Sequence, residues 1–156
     1  IEVEAPEKIV RLVIGENTNL KTVLFVSSIA GQHVAMEQPH SYGIAKLCVQ
    51  KLAKELAVRL SSEGITVNSL VLGYVKQGRK IEREGNFFKM GEMVIPSGVV
   101  PRPYEIAALM HDITKLGETN RLFTGQEIIG DACLTLQTHS TVAEKARVGL
   151  TASFKN

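Results

Sequence analysis

Tyr42 stands fourteen residues after Ser28 and four before Lys46. On a helix, the four-residue step puts the phenol and the ammonium on one face, with Cβ atoms roughly 5–6 Å apart. A phenol ordinarily keeps its proton up to about pH 10. A neighbouring ammonium favours the phenolate and brings proton exchange closer to neutrality. A serine hydroxyl at the end of an adjacent strand could orient a carbonyl or alcohol oxygen at the same point. These groups cover the proton side of a hydride exchange at a carbonyl carbon, and the hydride carrier is the missing part. Tyr-x-x-x-Lys alone also describes an ordinary helix with one buried ring and one solvated lysine, so its surroundings must decide.

Those surroundings alternate between helix and strand patterns. Pro6 to Ile14 places Ile9, Val10, Val13 and Ile14 on one side of a helix, with Pro6 in its first turn. Thr22 to Ser27 is a continuous β-branched and aromatic run, the pattern of a buried parallel strand. A loop from Ile29 to His40 leads to Ser41, a candidate N-cap, and a long helix from Tyr42 to about Ser62 closed by Gly64. The apolar stripe of that helix is broad, so more than one of its faces should be covered. Ile65 to Leu72 is a second buried strand stopped by Gly73. Residues Gln77 to Pro103 form a long mixed segment of the kind that serves as a lid or stays disordered. Tyr104 to Leu116 reads as a helix closed by Gly117, and Phe123 to Ile129 as a third strand. The 137–156 tail has little periodicity and reads as an arm or a disordered end.

This order implies an α/β fold with parallel strands joined by right-handed crossovers. Three strands leave an open apolar edge beside Thr22–Ser27 that something should cover. The bulk composition limits the alternatives. A chain of 156 residues, 44% hydrophobic, can bury one ordinary core without staples. A net charge of +2 without an aromatic-interleaved basic stripe argues against nucleic acid. No run approaches a membrane span or a signal peptide, which points to a cytoplasmic or organelle-matrix location. Cys48 and Cys133 are expected as two buried thiols in a reducing compartment, and no ligand spacing suggests a metal. His33 and His40 flank the active-site loop, where solvated imidazoles are the ordinary case.

Four segments, in order and spacing over roughly residues 6–136, resemble the short-chain dehydrogenase/reductase family. They are Val26-Ser27-Ser28-Ile29-Ala30-Gly31, Ser41-Tyr42-Gly43-Ile44-Ala45-Lys46, Gly64-Ile65-Thr66-Val67-Asn68 with Leu72-Gly73-Tyr74-Val75, and Phe123-Thr124-Gly125-Gln126-Glu127-Ile128. The resemblance implies a partial Rossmann-like, doubly wound parallel sheet, the C-terminal catalytic half of that fold, over residues 1–136. It implies that Ser28, matching the family's serine before x-x-Gly, positions the substrate oxygen. Tyr42 is then the acid/base, and Lys46 supports Tyr42 and holds the nicotinamide ribose. Gly73, Val75 and Gln77 would lie along the nicotinamide of NAD or NADP. Residues 77–103 would be the substrate lid, with Phe87, Phe88 and Met90 as candidate apolar contacts or as simple packing. Helices near 6–14 and 42–62 would form a homo-oligomer contact.

The same resemblance marks what is missing. No two glycines lie two positions apart, so the G-x-G-x-x-G turn that cradles the pyrophosphate is absent, and the dinucleotide could not bind fully to this chain alone. Aligned to the family, the chain opens inside the fourth helix without an initiator Met, as a processed or split chain would. A companion polypeptide, or an N-terminal half not included here, is therefore expected. The family's Pro before Gly73 is Leu72, its carboxamide-binding Thr is Gln77, and its Asp-Gly-Gly is Asp131-Ala132-Cys133. Two readings follow: an oxidoreductase acting on a carbonyl or alcohol, or a non-catalytic half-fold that serves as a structural or binding subunit. An enzyme of another class that kept the fold without nicotinamide is a third.

Overall fold

The computed structural model describes residues 4–16, 19–33, 38–76, 82–84, 87–90, 93–95 and 100–136, with backbone alone between 82 and 95 and at 136. Its elements in chain order are α1 (Glu4–Glu16), β1 (Thr22–Ser28), α2 (His40–Leu60), β2 (Thr66–Leu72), β3 (Glu82–Glu84), β4 (Phe87–Met90), β5 (Met93–Ile95), α3 (Pro103–Thr119) and β6 (Glu127–Gly130).

β1, β2 and β6 form a parallel sheet in the order β1-β2-β6. β2 lies in the middle, and its Thr66 to Val71 are all buried, the apolar Val67, Leu70 and Val71 against helices and the polar Thr66, Asn68 and Ser69 through hydrogen bonds. Helices cover both faces. Val10 of α1 and Val49, Leu52, Ala53, Leu56, Ala57 and Leu60 of α2 pack with Phe25, Ile65 and Val67 on one side. Ile106 and Ile113 of α3 pack with Leu70, Leu24 and Ile128 on the other. Each such buried Val or Leu side chain contributes about 1.5–3 kcal/mol. The doubly wound α/β arrangement expected from the sequence is therefore present. Among the described residues β1 pairs with β2 alone, so its second edge is open.

Several boundaries differ from the sequence reading, each for a local reason. α2 begins at His40, with Pro39 and not Ser41 at the N-cap. Pro39 has φ −56° and ψ 141°, an extended entry that its ring favours. The α2 helix ends at Leu60 and tightens into a 3-10 turn (Ser61–Glu63), which Gly64 caps at φ 74°. Gly117 does not end α3. It lies within the helix, where a Cβ would sit 2.6–2.7 Å from the Thr22 and Thr66 hydroxyls, so close approach and not a helix stop requires the glycine. β6 starts at Glu127 and not Phe123, because Gly125 turns through φ 71°. Residues 123–126 are tied to β2 through side chains instead, Asn68 donating to the Phe123 carbonyl at 2.9 Å and accepting from Gln126 N–H at 3.0 Å.

The long segment before α3 holds a three-stranded antiparallel sheet, β3-β4-β5, with Arg83 opposite Phe88 and Phe88 opposite Ile95. The 137–156 tail lies outside the described residues. Of the two cysteines, Cys48 is half-buried and Cys133 is exposed, against the expectation that both are buried. The broad stripe on α2 is only partly covered: Ile44, Leu47 and Val58 are 65%, 51% and 77% exposed. On α1, Ile9, Leu12 and Val13 are exposed and only Val10 is buried, so the expected four-residue apolar side is split between core and surface.

Candidate active site

The parallel register brings the three strands to a common carboxyl edge, where Ser28 pairs with Leu72 and Leu72 with Gly130. Open α/β sheets bind ligands outside that edge. The chain segments leaving it meet in one apolar cluster, in which Val100 and Leu134 are buried against Ile29, Tyr74 and Ala132. β5 runs beside the Leu134–Leu136 turn, which places the small antiparallel sheet at the same end.

Ser28 closes β1 and caps the 3-10 turn Ile29–Gly31, its Oγ accepting from Ala30 N–H at 3.2 Å. Ser27 faces the other way. It is buried, donates to the Lys46 carbonyl at 2.9 Å and accepts from Gln50 Nε2 at 3.0 Å. The alternation of a strand thus separates two adjacent serines, one structural and one at the open edge.

Tyr42 and Lys46 occupy the first turns of α2, both half-buried. Lys46 Nζ lies 5.4 Å from the centroid of the Tyr42 ring, within cation–π range. The Ser28 turn is pressed onto this part of the helix. A Cβ on Gly31 would sit 2.7 Å from Leu47 N and 3.0 Å from Lys46 C, and one on Gly43 would sit 2.6 Å from the Ala30 carbonyl oxygen. Only glycine permits this approach, which sets the strand-end serine beside the Tyr42–Lys46 turn.

The residues expected along a nicotinamide fare differently from one another. Gly73 lies at the carboxyl edge, but a Cβ there would be 2.8 Å from Asp131 Cα, so packing against the exit of β6 already requires a glycine. Val75 packs against the Leu70, Ile106 and Ile113 cluster. Gln77 lies outside the described residues. Phe87, Phe88 and Met90 lie on β4, and their side chains are outside the described detail.

A hollow of about 280 Å³ opens between the Ile29–Gly31 turn and the start of α2, bordered by Gly31, His33, Pro39, His40, Ile44 and Leu47. At 100° per residue, positions 40, 44 and 47 lie well round the helix from 42 and 46. This space is therefore separate from the Tyr42–Lys46 face. His33 and His40 are exposed there, as solvated loop residues would be. Among the described residues no cluster of His, Cys, Asp and Glu could hold a metal, and no helix is long and apolar enough to cross a membrane.

The sequence reading passed over Gln50. It continues the stripe of Tyr42 and Lys46 one turn further, at i+8, and is 1% exposed. Its signal was a large polar side chain on the face of α2 that is otherwise buried.

Residues 8–135 match the family model described as enoyl-(acyl carrier protein) reductase. A rhamnolipid-biosynthesis 3-oxoacyl-[acyl-carrier-protein] reductase of Pseudomonas aeruginosa is 31% identical over 112 residues, covering 70% of this chain and 43% of that protein. Among solved structures, a Caenorhabditis elegans short-chain dehydrogenase/reductase of unknown function, with cofactor, superposes with a TM-score of 0.70 at 23% identity, covering 90% of this chain and 55% of that one. A 4-hydroxyisoleucine dehydrogenase complexed with NADH superposes with a TM-score of 0.71 at 18% identity, covering 88% and 57%. The matches span less than half the length of the curated relatives.

Proposed function

The chain belongs to the short-chain dehydrogenase/reductase family, and we propose that it is the catalytic, C-terminal half of an NAD(P)-dependent oxidoreductase acting on a carbonyl or alcohol. The observation that carries this reading is the Lys46 ammonium 5.4 Å from the Tyr42 ring, on the turn against which the Ser28 strand end is pressed.

A bound nicotinamide supplies or accepts the hydride in this chemistry. In the reducing direction, Ser28 donates its hydroxyl hydrogen to the substrate carbonyl and holds it in place. The Tyr42 phenol gives its proton to the same oxygen. Lys46 stabilises the negative charge that develops on the phenol oxygen, and its ammonium suits the ribose hydroxyls of the cofactor. In the oxidising direction the same proton returns to Tyr42. Ser28, Tyr42 and Lys46 suit the nicotinamide end of the cofactor in chemical type, whereas the glycine-rich turn for the pyrophosphate has no counterpart in the sequence. A companion polypeptide, or further sequence N-terminal to this part, supplies that turn and covers the open edge of β1.

Exposed Ile44, Leu47 and Val58 on α2 and Ile9, Leu12 and Val13 on α1 support self-association through these helices. The second reading, a half-fold kept for binding, draws on the replaced Asp-Gly-Gly, whose Ala132 and Cys133 now carry left-handed backbone. The two readings separate in one experiment. The chain is combined with a polypeptide bearing a dinucleotide-binding half, and NADH or NADPH oxidation is followed with a panel of carbonyl compounds that includes a 3-oxoacyl thioester. Under the catalytic reading Tyr42→Phe lowers the turnover by about 10²-fold or more. Turnover unchanged by Tyr42→Phe contradicts it.

A further inference from the structure

We infer that Gln50 is a positioning residue that clamps the Ser28 turn to the helix carrying Tyr42 and Lys46. This rests on the reading of those three residues as the reacting groups. Gln50 Nε2 donates to Ser27 Oγ at 3.0 Å and to the Ser28 carbonyl at 3.1 Å, while its Oε1 accepts from Gln32 Nε2 at 3.2 Å. Ser27 Oγ passes the link back to α2 by donating to the Lys46 carbonyl at 2.9 Å. One side chain thus grips the residue before Ser28, the backbone of Ser28 itself and the residue beyond the 3-10 turn.

The other buried polar side chains have different uses. Thr66 ties β2 to Thr22 and to the Gly117 carbonyl. Asn68 and Ser69 hold residues 123–126. Asp131 organises the turn after β6, accepting from the Cys133 and Thr135 backbone. Among the described buried polar side chains, Ser27 and Gln50 are the pair that joins β1 to α2. The apolar contacts between these elements lie on the sheet face at Phe25, Val49, Leu52 and Leu56. Apolar contact tolerates small slips, whereas directional bonds in a low-dielectric interior do not. With Gln50 one turn beyond Lys46, the clamp sets how far the Ser28 turn sits along α2 from the phenol.

The test uses Gln50→Met, which keeps length and volume but removes every bond, with Ser27→Ala as a milder variant should the first fail to fold. Amide hydrogen exchange of the chain is compared at Ala30, Gln32 and His33 and at the β2 core residues Val67 and Leu70. The expected result is exchange about tenfold or more faster at 30–33 with β2 unchanged. In the complemented enzyme kcat should fall at least about tenfold with KM little altered, as misplacement of a reacting group predicts. A uniform loss of protection, or unchanged exchange at 30–33, overturns the clamp. So does unaltered kcat in an enzyme that Tyr42→Phe disables. If Tyr42→Phe has no effect, the catalytic reading has failed separately, and the exchange measurement still decides whether Gln50 holds the turn.

Discussion

The turn after β6 carries a strain whose relief can be calculated. Ala132 and Cys133 adopt φ of 55° and 67°, adjacent residues in the left-handed region where a Cβ meets the following carbonyl. Each non-glycine residue there costs roughly 1–2 kcal/mol. Glycine removes that cost but gives up about 0.5–1 kcal/mol to its freer unfolded chain. Cys133 is exposed, so its side chain forfeits little packing, and Cys133→Gly should stabilise by about 0.5–1 kcal/mol. Ala132 packs against Val100 and Leu134 and loses a methyl worth about 0.8 kcal/mol, so Ala132→Gly should come out near neutral. The Asp131 carboxylate still accepts from the residue 133 amide in both variants, because that bond uses backbone alone. Urea denaturation followed by circular dichroism gives the two values directly, with a few degrees of Tm shift for a chain of this size. A Cys133→Gly variant less stable than the parent would refute the strained turn.

Other substitutions probe the close approaches. Gly31→Ala would place a methyl 2.7 Å from Leu47 N and should destabilise by about 1–3 kcal/mol, read in the same denaturation assay. Gly117→Ala improves helix propensity by about 1 kcal/mol, yet it should lower the Tm because its Cβ meets the Thr22 and Thr66 hydroxyls; a raised Tm would mean that α3 sits further from the sheet. Asp131→Ala strips the acceptor from two backbone amides and should cost about 2–4 kcal/mol by the same measurement. Leu47→Glu with Val58→Glu should shift sedimentation towards the monomer while leaving the circular dichroism of the folded chain unchanged, since both side chains are exposed; unchanged sedimentation of an oligomeric parent would move the contact elsewhere.

The strands β1 and β2 were legible from their β-branched and apolar residues, Val23-Leu24-Phe25-Val26 in one and Val67 with Leu70-Val71-Leu72 in the other. The proximity of Tyr42 and Lys46 was legible from their four-residue step on a helix, whereas their candidate role came from the motifs around them, in which Gly31 and Gly43 have a steric reason, letting the turn after β1 touch the helix. What escaped depends on long-range partners. Gln50 looks like any polar helix residue until Ser27 and the Ser28 carbonyl are known to lie opposite it. The start of β6 hinged on Gly125 leaving the extended region, and Gly117 resembled a helix stop because nothing local reveals the threonines it avoids. The strands β3 to β5 were hidden by their brevity, each three or four residues long. The exposure of Cys133 follows from a turn conformation that glycine would ordinarily occupy.

Native mass spectrometry of this chain isolated from its source tests the central claim most directly. The account predicts a complex, or a longer polypeptide, in which the glycine-rich half is present and the mass includes a bound NAD or NADP. A bare 17.0 kDa chain, or one held by unrelated subunits without nucleotide, would contradict the catalytic reading and leave a structural half-fold.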